Sequence, residues 1–332
     1  MARKALYRRY GRPKDVIEFV DHDPGPAGPE DVVIAVEAVC LHIADVLRVT
    51  GQRPYAPPLP DSPGSECVGR VVSVGTNVRG FKVGDRAIPP LATRSCQELI
   101  RLPASQFIRV PDDGDALQLA MATVNPVTSW LLINAYEPMK PGDWILQNGG
   151  NSACGRFAIQ LAKRQGLRTI SAIRRAEVIP ELEAHGADAV VFDDETLPAQ
   201  VAKATGGAEI RLALDVAGGH NTAWLAHCLA DSGIIINYGL MSGQDPVLPK
   251  ELTLTRGLRF QGFLMSRTFR RLYTPALERA VRTEIAQLIG TGALTARVAA
   301  TYPFERLADA LEHADRRGAE RHGKILITMG RR

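Results

Sequence analysis

The chain contains no C-x-x-C pair. Its five cysteines, Cys40, Cys67, Cys96, Cys154 and Cys228, are scattered, which argues against both a structural zinc lobe and a disulfide framework. Free thiols suit a reducing compartment, so a cytoplasmic location is expected. No apolar run approaches the length needed to cross a bilayer, so no membrane partner is expected. The opening MARKALYRRYG is basic, but no apolar segment follows it, so it does not read as a secretory signal. Repeats and low-complexity segments are absent. A large charge of one sign is lacking too: the net charge is +4 over 332 residues, too small to suggest a nucleic-acid partner. What is present is an ordinary globular composition, 45% hydrophobic and 23% charged, on a chain long enough for two domains.

Three zones follow one another. Residues 1–120 are rich in short strand patterns such as VVIAVEAVC and GRVVSVG, punctuated by Gly64, Gly69, Gly75, Gly80 and Gly84. A β-barrel-like domain is predicted there. In residues 121–265 strand and helix patterns alternate, with six strands, which predicts an α/β doubly wound parallel sheet. Residues 266–332 hold a helix from about Thr274 to Ile289, a short strand, a second helix and ILITM. This last zone is expected to return to the first domain.

The sharpest signal is DWILQNGGNSACGRFAIQLAKRQGLRTISAIRR, from Asp143 to Arg175. Trp144 to Leu146 reads as a strand covered on both faces. Gly150, Ser152 and Gly155 occupy the three positions of G-x-G-x-x-G: Gly150 for the tight turn, Ser152 where a pyrophosphate nears the backbone, Gly155 for close helix–strand packing. Cys154, Phe157, Ala158, Leu161 and Ala162 form a helical apolar stripe, closed by Gly166. Asn148, Gly150, Asn151, Ser152, Ala153, Cys154 and Gly155 are the expected cofactor contacts in this turn, with the helix N-terminus holding the pyrophosphate. The next strand, Thr169 to Ile173, ends in Arg174 and Arg175. A free ribose 2′-hydroxyl calls for an acid there and a 2′-phosphate for cations, so the cofactor is predicted to be NADPH. Tyr238, Gly239, Leu240 and Met241 end the fifth strand, and Gly262, Phe263 and Leu264 the sixth, where ligands lie outside the carboxyl ends of strands. Asp215 is expected to shape the turn after the fourth.

These segments, together with PGSECVGRVVSVGTNVRGFKVGDR, NPVTSWLLI, LDVAGG, INYGLMSG and GFLMSR, resemble the zinc-independent medium-chain dehydrogenases/reductases over nearly the whole chain. Within that family the sequence is most similar to the trans-2-enoyl-CoA/ACP reductases, through Gln147-Asn148, Asn151-Ser152 and Arg174. The resemblance implies a GroES-like catalytic domain (1–120), a Rossmann NADPH-binding domain (121–265) and a C-terminal segment completing the first (266–332). It also implies a homodimer, with the sixth strand as a sheet edge open to pairing. Asn125 and Thr128 would stand beside the nicotinamide and ribose.

Zinc-dependent relatives carry a Cys where His42 stands, three residues before Asp45, and a His where Ser65 stands in PGSEC; Asn125 falls at the third ligand position. One remaining ligand, His42, does not hold zinc, so no metal is expected; an unorthodox site of Cys40, His42, Glu66 and Cys67 is the alternative. Without a Lewis acid, hydride transfer to an activated double bond is simpler chemistry than alcohol oxidation. It needs a donor to the carbonyl oxygen and a proton for the α-carbon. The reductases resemble one another in a Tyr in the loop after the first-domain Gly, as G-x-Y. Here that loop is Gly51-Gln52-Arg53-Pro54-Tyr55, with the family position on Arg53 and Tyr55 two residues later. Tyr55, Arg53 and His42 are therefore the candidate catalytic residues. Arg267, Arg270 and Arg271 form a basic cluster able to meet coenzyme A or carrier-protein phosphates. The expected activity is NADPH-dependent reduction of enoyl-CoA/ACP thioesters or related enones. An NADPH:quinone oxidoreductase and a non-catalytic NADPH-binding sensor or nucleic-acid binder are the alternatives.

Overall fold

The computed structural model describes residues 1–52, 56–316, 318 and 322–330. Two compact units divide the chain: Met1–Val124 with Arg279–Arg332, and Asn125–Glu278. In chain order the first unit opens with β1 (Arg3–Leu6), α1 (Pro13–Val16), β2 (Glu18–Asp21), β3 (Asp31–Leu41), α2 (Ile43–Val49), β4 (Glu66–Val74), β5 (Arg86–Ile88), β6 (Leu99–Pro103), β7 (Ile108–Val110) and α3 (Ala116–Leu119). The second unit runs α4 (Asn125–Asn134), β8 (Trp144–Asn148), α5 (Ala153–Arg164), β9 (Arg168–Ile173), α6 (Ile179–His185), β10 (Ala189–Phe192), α7 (Leu197–Thr205), β11 (Ile210–Asp215), α8 (His220–Cys228), β12 (Ile234–Asn237), α9 (Lys250–Thr255), β13 (Arg259–Gly262) and α10 (Met265–Leu272). Then come α11 (Pro275–Gly290), β14 (Val298–Pro303), α12 (Leu307–Asp315) and β15 (Lys324–Thr328). None of the described helices is long and apolar enough to cross a membrane.

In the first unit β3 is the organising strand. Its valines and isoleucine fit a pleated, packed surface. It pairs antiparallel with β4, β6 and β15, in a sheet ordered β14-β15-β3-β4-β5-β7 with β6 also on β3. Val32, Ile34, Val36, Val39 and Leu41 enter one core with Val46 and Val49 of α2 and with Phe304, Leu307, Leu311, Ile325 and Ile327. The C-terminal elements thus complete the core begun by β3. The β3–β15 register pairs Ile325 with Leu41, which carries Lys324 to a place opposite His42.

The second unit is a six-stranded, all-parallel sheet ordered β10-β9-β8-β11-β12-β13. Numbered within the sheet, that is 3-2-1-4-5-6, the Rossmann arrangement expected of the alternating pattern. Helices cover the strands, and Leu146, Ile170, Ala172, Ala213 and Ile235 pack with Leu197, Val201 and Leu225 of α7 and α8. Strand order reverses between β8 and β11. The crevice outside their carboxyl ends is where such sheets take ligands. Helix α10 belongs to this unit, beyond the expected boundary at 265.

Candidate active site

The turn leaving β8 is built for close approach. Gly149 takes the left-handed conformation at φ +58°, and a Cβ there would lie 2.4 Å from Val216 Cγ1. The tight turn expected at Gly150 is therefore made one residue earlier. Gly150 is required for another reason: its Cβ would lie 2.6 Å from Ser171 Cβ on β9. A Cβ on Gly155 would lie 2.6 Å from the Gly150 carbonyl oxygen, so Gly155 seats the helix against the turn itself. Ser152 caps α5, its Oγ accepting the Gly155 N–H at 3.0 Å, while its own N–H goes to the Gly149 carbonyl. A helix start leaves four N–H groups without intrahelical acceptors. With two of them satisfied in this way, those of Ala153 and Cys154 remain, together with the positive end of the helix dipole. Asn151 sits in the turn beside them.

Asn148, predicted to touch the cofactor, turns its side chain inward. It is fully buried; its Nδ2 donates to Asp215 Oδ1 (2.7 Å) and its Oδ1 accepts the Val216 N–H (2.7 Å). Asp215 also accepts from Gly218 N–H (3.0 Å), Thr222 Oγ1 (2.7 Å) and Asn237 Nδ2 (3.1 Å). This lock joins the ends of β8, β11 and β12 and sets the shape of the crevice. Tyr238 follows β12. Its hydroxyl is buried without a well-formed hydrogen bond although Ser152 and Cys154 lie beside it, and burial pushes the phenol far above its ordinary pKa. Asn125 Nδ2, at the start of α4, is likewise buried and unpaired, and Thr128 is buried one turn on. The Cys154 thiol meets Ser129 Oγ at 3.1 Å and is pushed up to about 12 by burial.

Beyond Tyr238, a Cβ on Gly239 would press on Val216 at 2.7 Å, while Leu240 and Met241 are exposed. Gly262 faces open space, the Phe263 N–H bonds the Asn237 carbonyl at 2.8 Å, and Leu264 is exposed. Past β9, Arg174 is exposed and has no ion pair among the described residues, whereas Arg175 Nη1 pairs with Glu177 at 3.2 Å. The two arginines of the sequence pattern are thus unequal: Arg175 is ion-paired, while Arg174 is exposed with only the electrostatic influence of Asp193.

In the first unit His42 lies at the head of α2. Its Nε2 is 2.6 Å from Glu66 Oε1 and its Nδ1 is 3.2 Å from Lys324 Nζ. Glu66 is buried, and its Oε2 accepts the N–H groups of Thr123 and Val124, each at 2.8 Å. Cys40, His42 and Glu66 bring one ligand-type atom each within 4.8 Å of one another, all buried. Asp45 anchors the loop, accepting the His42 N–H (2.9 Å), the Gly64 N–H (3.2 Å) and Ser65 Oγ–H (2.7 Å). Of the sequence candidates, His42 therefore has both ring nitrogens engaged, and Cys67 stands outside the cluster. Arg53 and Tyr55 lie outside the described residues. The sequence marks Glu66 only as a possible metal ligand and gives no sign of Lys324. A lone lysine heading an apolar strand has no local signature, and only the β3–β15 register reveals its partner.

Three comparisons bear on this geometry. A family model described as an alcohol dehydrogenase GroES-like domain matches residues 28–112, and one described as a zinc-binding dehydrogenase matches residues 185–327. The chain is 30% identical over 318 residues to the mitochondrial enoyl-[acyl-carrier-protein] reductase of Homo sapiens, covering 93% of this chain and 84% of that one. The fold is similar to that of Etr1p, an enoyl thioester reductase from Candida tropicalis solved with NADP and crotonyl-CoA, with TM-score 0.85 and 25% identity over 98% of this chain and 99% of that one. It is also similar to a mycobacterial quinone oxidoreductase, with TM-score 0.84 and 25% identity over 99% of this chain and 100% of that one. The human relative is mitochondrial, so the cytoplasmic expectation draws no support from it.

The donor sets can be tested against the groups these descriptions imply. A dinucleotide fits: the glycine cradle, the amides of Ala153 and Cys154, the orphaned Tyr238 hydroxyl and Arg174 suit phosphate oxygens. Zinc does not fit. The Ser65 hydroxyl is bonded to Asp45, Asn125 offers neither thiolate nor imidazole, and the Lys324 ammonium faces Nδ1 of the remaining His42.

Proposed function

We propose, for a chain that belongs to the medium-chain dehydrogenase/reductase family, zinc-independent, NADPH-dependent reduction of the C=C bond of 2-enoyl thioesters or related α,β-unsaturated carbonyls. The observation that carries the reaction type is the Cys40–His42–Glu66 cluster, whose histidine is met on its Nδ1 side by the Lys324 ammonium. Alcohol oxidation in a metal-dependent relative needs a Lewis acid to acidify the hydroxyl. Reduction of a conjugated double bond needs only a donor to the carbonyl oxygen, where enolate charge develops, and a proton for the α-carbon.

Bound NADPH supplies the hydride, from C4 of the nicotinamide. The protein's part is to hold and polarise. The Ala153 and Cys154 amides and the Tyr238 hydroxyl receive the pyrophosphate. Arg174 receives the 2′-phosphate. Asn125 and Thr128, and the backbone from Gly262 to Leu264, flank the nicotinamide end. Tyr55 and Arg53 are the candidate donors to the carbonyl oxygen. The likeness to a reductase solved with NADP, and to a mycobacterial protein solved with NADPH, supports the cofactor. Arg267, Arg270 and Arg271 lie together on the exposed face of α10, opposite its buried Met265 and Phe269, and suit the phosphates of coenzyme A or a carrier protein. The β13 edge, with Phe260 exposed, suits pairing with a second copy into a homodimer.

The mycobacterial likeness favours a second reading, an NADPH:quinone oxidoreductase. NADPH oxidation with crotonyl-CoA, 2-decenoyl-CoA and 9,10-phenanthrenequinone, with NADH as control, separates the two. Enoyl-thioester turnover with NADPH preferred is the expected result. Quinone turnover alone selects the second reading, and NADPH binding with neither activity removes both. Loss of kcat in Tyr55→Phe assigns the carbonyl donor to the phenol, and loss in Arg53→Ala to the guanidinium. Reversal of Arg267, Arg270 and Arg271 to Glu is expected to raise KM for enoyl-CoA about five-fold and leave the quinone KM unchanged.

A further inference from the structure

The first unit contains one cluster of three potential metal ligands among the described residues, Cys40, His42 and Glu66, and it is closed by a cation of the protein's own. A lysine ammonium carries three donors and no acceptor. Lys324 Nζ, 3.2 Å from His42 Nδ1, therefore requires that nitrogen to accept. The ring proton then sits on Nε2, which faces Glu66 Oε1 at 2.6 Å. Glu66 fits the role of an ionised acceptor, since its other oxygen takes two backbone N–H groups at 2.8 Å. The imidazole thus bridges an ammonium and a carboxylate, and the charges of Lys324 and Glu66 offset each other across it. Glu66 is buried while Lys324 is only partly so, and the imidazole between them gives the buried carboxylate a hydrogen-bonded route to a cation.

We infer that Lys324 takes the place of a metal ion in this pocket, supplying its positive charge and fixing His42 in the Nε2–H tautomer. Lys324 is then a positioning residue: it acts on the loop at the head of α2 through His42, as a ligand shell would orient a histidine around a metal. The inference does not depend on which acceptor the protein reduces. It explains why β15 begins with a lysine where the rest of the strand, ILIT, is apolar apart from its terminal Thr328.

The test uses the full-length protein, Lys324→Met, Lys324→Arg and the double variant Lys324→Met with Cys40→Ser. Long-range 1H–15N correlation spectra read the His42 tautomer, and Co2+ serves as the metal probe. In the wild type, His42 is expected to carry its proton on Nε2, and one equivalent of Co2+ is expected to give no thiolate-to-cobalt band. Lys324→Met removes the cation. It is expected to change the His42 signature and to bind Co2+ about 100-fold more tightly than the wild type, with a thiolate band that Cys40→Ser abolishes. Lys324→Arg is expected to keep the wild-type signature. A thiolate band in the wild type, or a wild-type His42 protonated on Nδ1, overturns the inference. So does a folded Lys324→Met variant whose His42 signals and Co2+ response match the wild type. If Lys324→Met does not fold, the wild-type spectrum and Lys324→Arg still decide it.

Discussion

Tyr238 and Arg174 are the two side chains through which the proposed dinucleotide site is tested most directly. A buried hydroxyl without a good partner costs the protein about 1–3 kcal/mol. Tyr238→Phe removes that cost, so its melting temperature is expected to equal or exceed the wild type's. If the hydroxyl donates to the pyrophosphate as proposed, the same change raises the dissociation constant for NADPH about tenfold. Opposite signs in stability and affinity are the diagnostic result of a thermal melt and a fluorescence titration. A melting temperature lowered by several degrees would mean that the hydroxyl is satisfied within the fold. Arg174 is exposed and unpaired, so Arg174→Ala should leave stability unchanged. Its KM for NADPH is expected to rise about 30-fold while that for NADH stays within twofold, because only NADPH carries the 2′-phosphate. Equal losses for both cofactors would place the guanidinium elsewhere. Arg175, tied to Glu177, serves as the internal control: its substitution should matter less.

At the scale of elements, the segment after β1, helix α2 and the loop carrying Arg94 are held together by one carboxylate. Asp61 accepts from Tyr7 Oη beside β1 at 2.8 Å, from Arg48 of α2 at 2.5 Å and from Arg94 at 2.5 Å. Burial alone pushes its pKa up, but the Tyr7, Arg94 and Arg48 hydrogen bonds outweigh it and hold the carboxyl below the ordinary 3.8. A folded-state pKa below the unfolded one gives stability that is fully present above the ordinary aspartate value. That stability is lost as pH falls through the lowered folded value. Asp61→Asn is expected to cost about 3 kcal/mol at neutral pH, since it leaves Arg48 without its counter-charge in a buried place. It should also flatten the acid limb of a stability–pH curve measured by urea unfolding. An unchanged acid limb would show that other carboxylates govern acid unfolding.

At the same scale, local patterns are legible in the sequence and long-range partners are not. The α5 stripe, the glycine-rich link from β8 to α5 and the alternation giving six parallel strands are local patterns forced by backbone sterics or helical period, and all but the position of the tight turn within the link match the fold. Gly149 was passed over because the motif spacing starts at Gly150; which of two adjacent glycines takes φ +58° depends on Val216, which lies on another strand's exit. Asn148 looked like a ligand contact because it borders the motif, yet a buried amide must find a partner, and Asp215 is 67 positions away. The His42–Lys324 contact spans 282 positions and exists only through antiparallel register. Local chemistry is legible in a sequence. Partners brought together by strand pairing are not.

For the whole molecule, the distribution of tryptophan offers a direct probe. Trp130, Trp144 and Trp224 all fall between Asn125 and Glu278, in the second unit, and none in the first. Trp144 is buried on β8, with the Arg168 guanidinium 4.1 Å from its ring centroid, so unfolding of the parallel sheet must change its emission. Tryptophan fluorescence therefore follows the unit that carries the glycine turn, Arg174 and Tyr238. A ligand that binds only the folded form adds RT ln(1 + [L]/Kd), about 2.7 kcal/mol at a hundred times Kd. With a urea dependence of about 2–3 kcal/mol/M, the fluorescence midpoint is expected to move up by about 1 M when NADPH is present at that excess. NADH at the same concentration should move it far less if Arg174 holds the 2′-phosphate as proposed, since NADH lacks that group. Equal shifts with both cofactors would contradict the NADPH assignment while leaving the dinucleotide site intact. No shift with either would mean that the crevice at the ends of β8 and β11 holds a different ligand, because a nucleotide bound there cannot fail to stabilise the unit that its own turn completes.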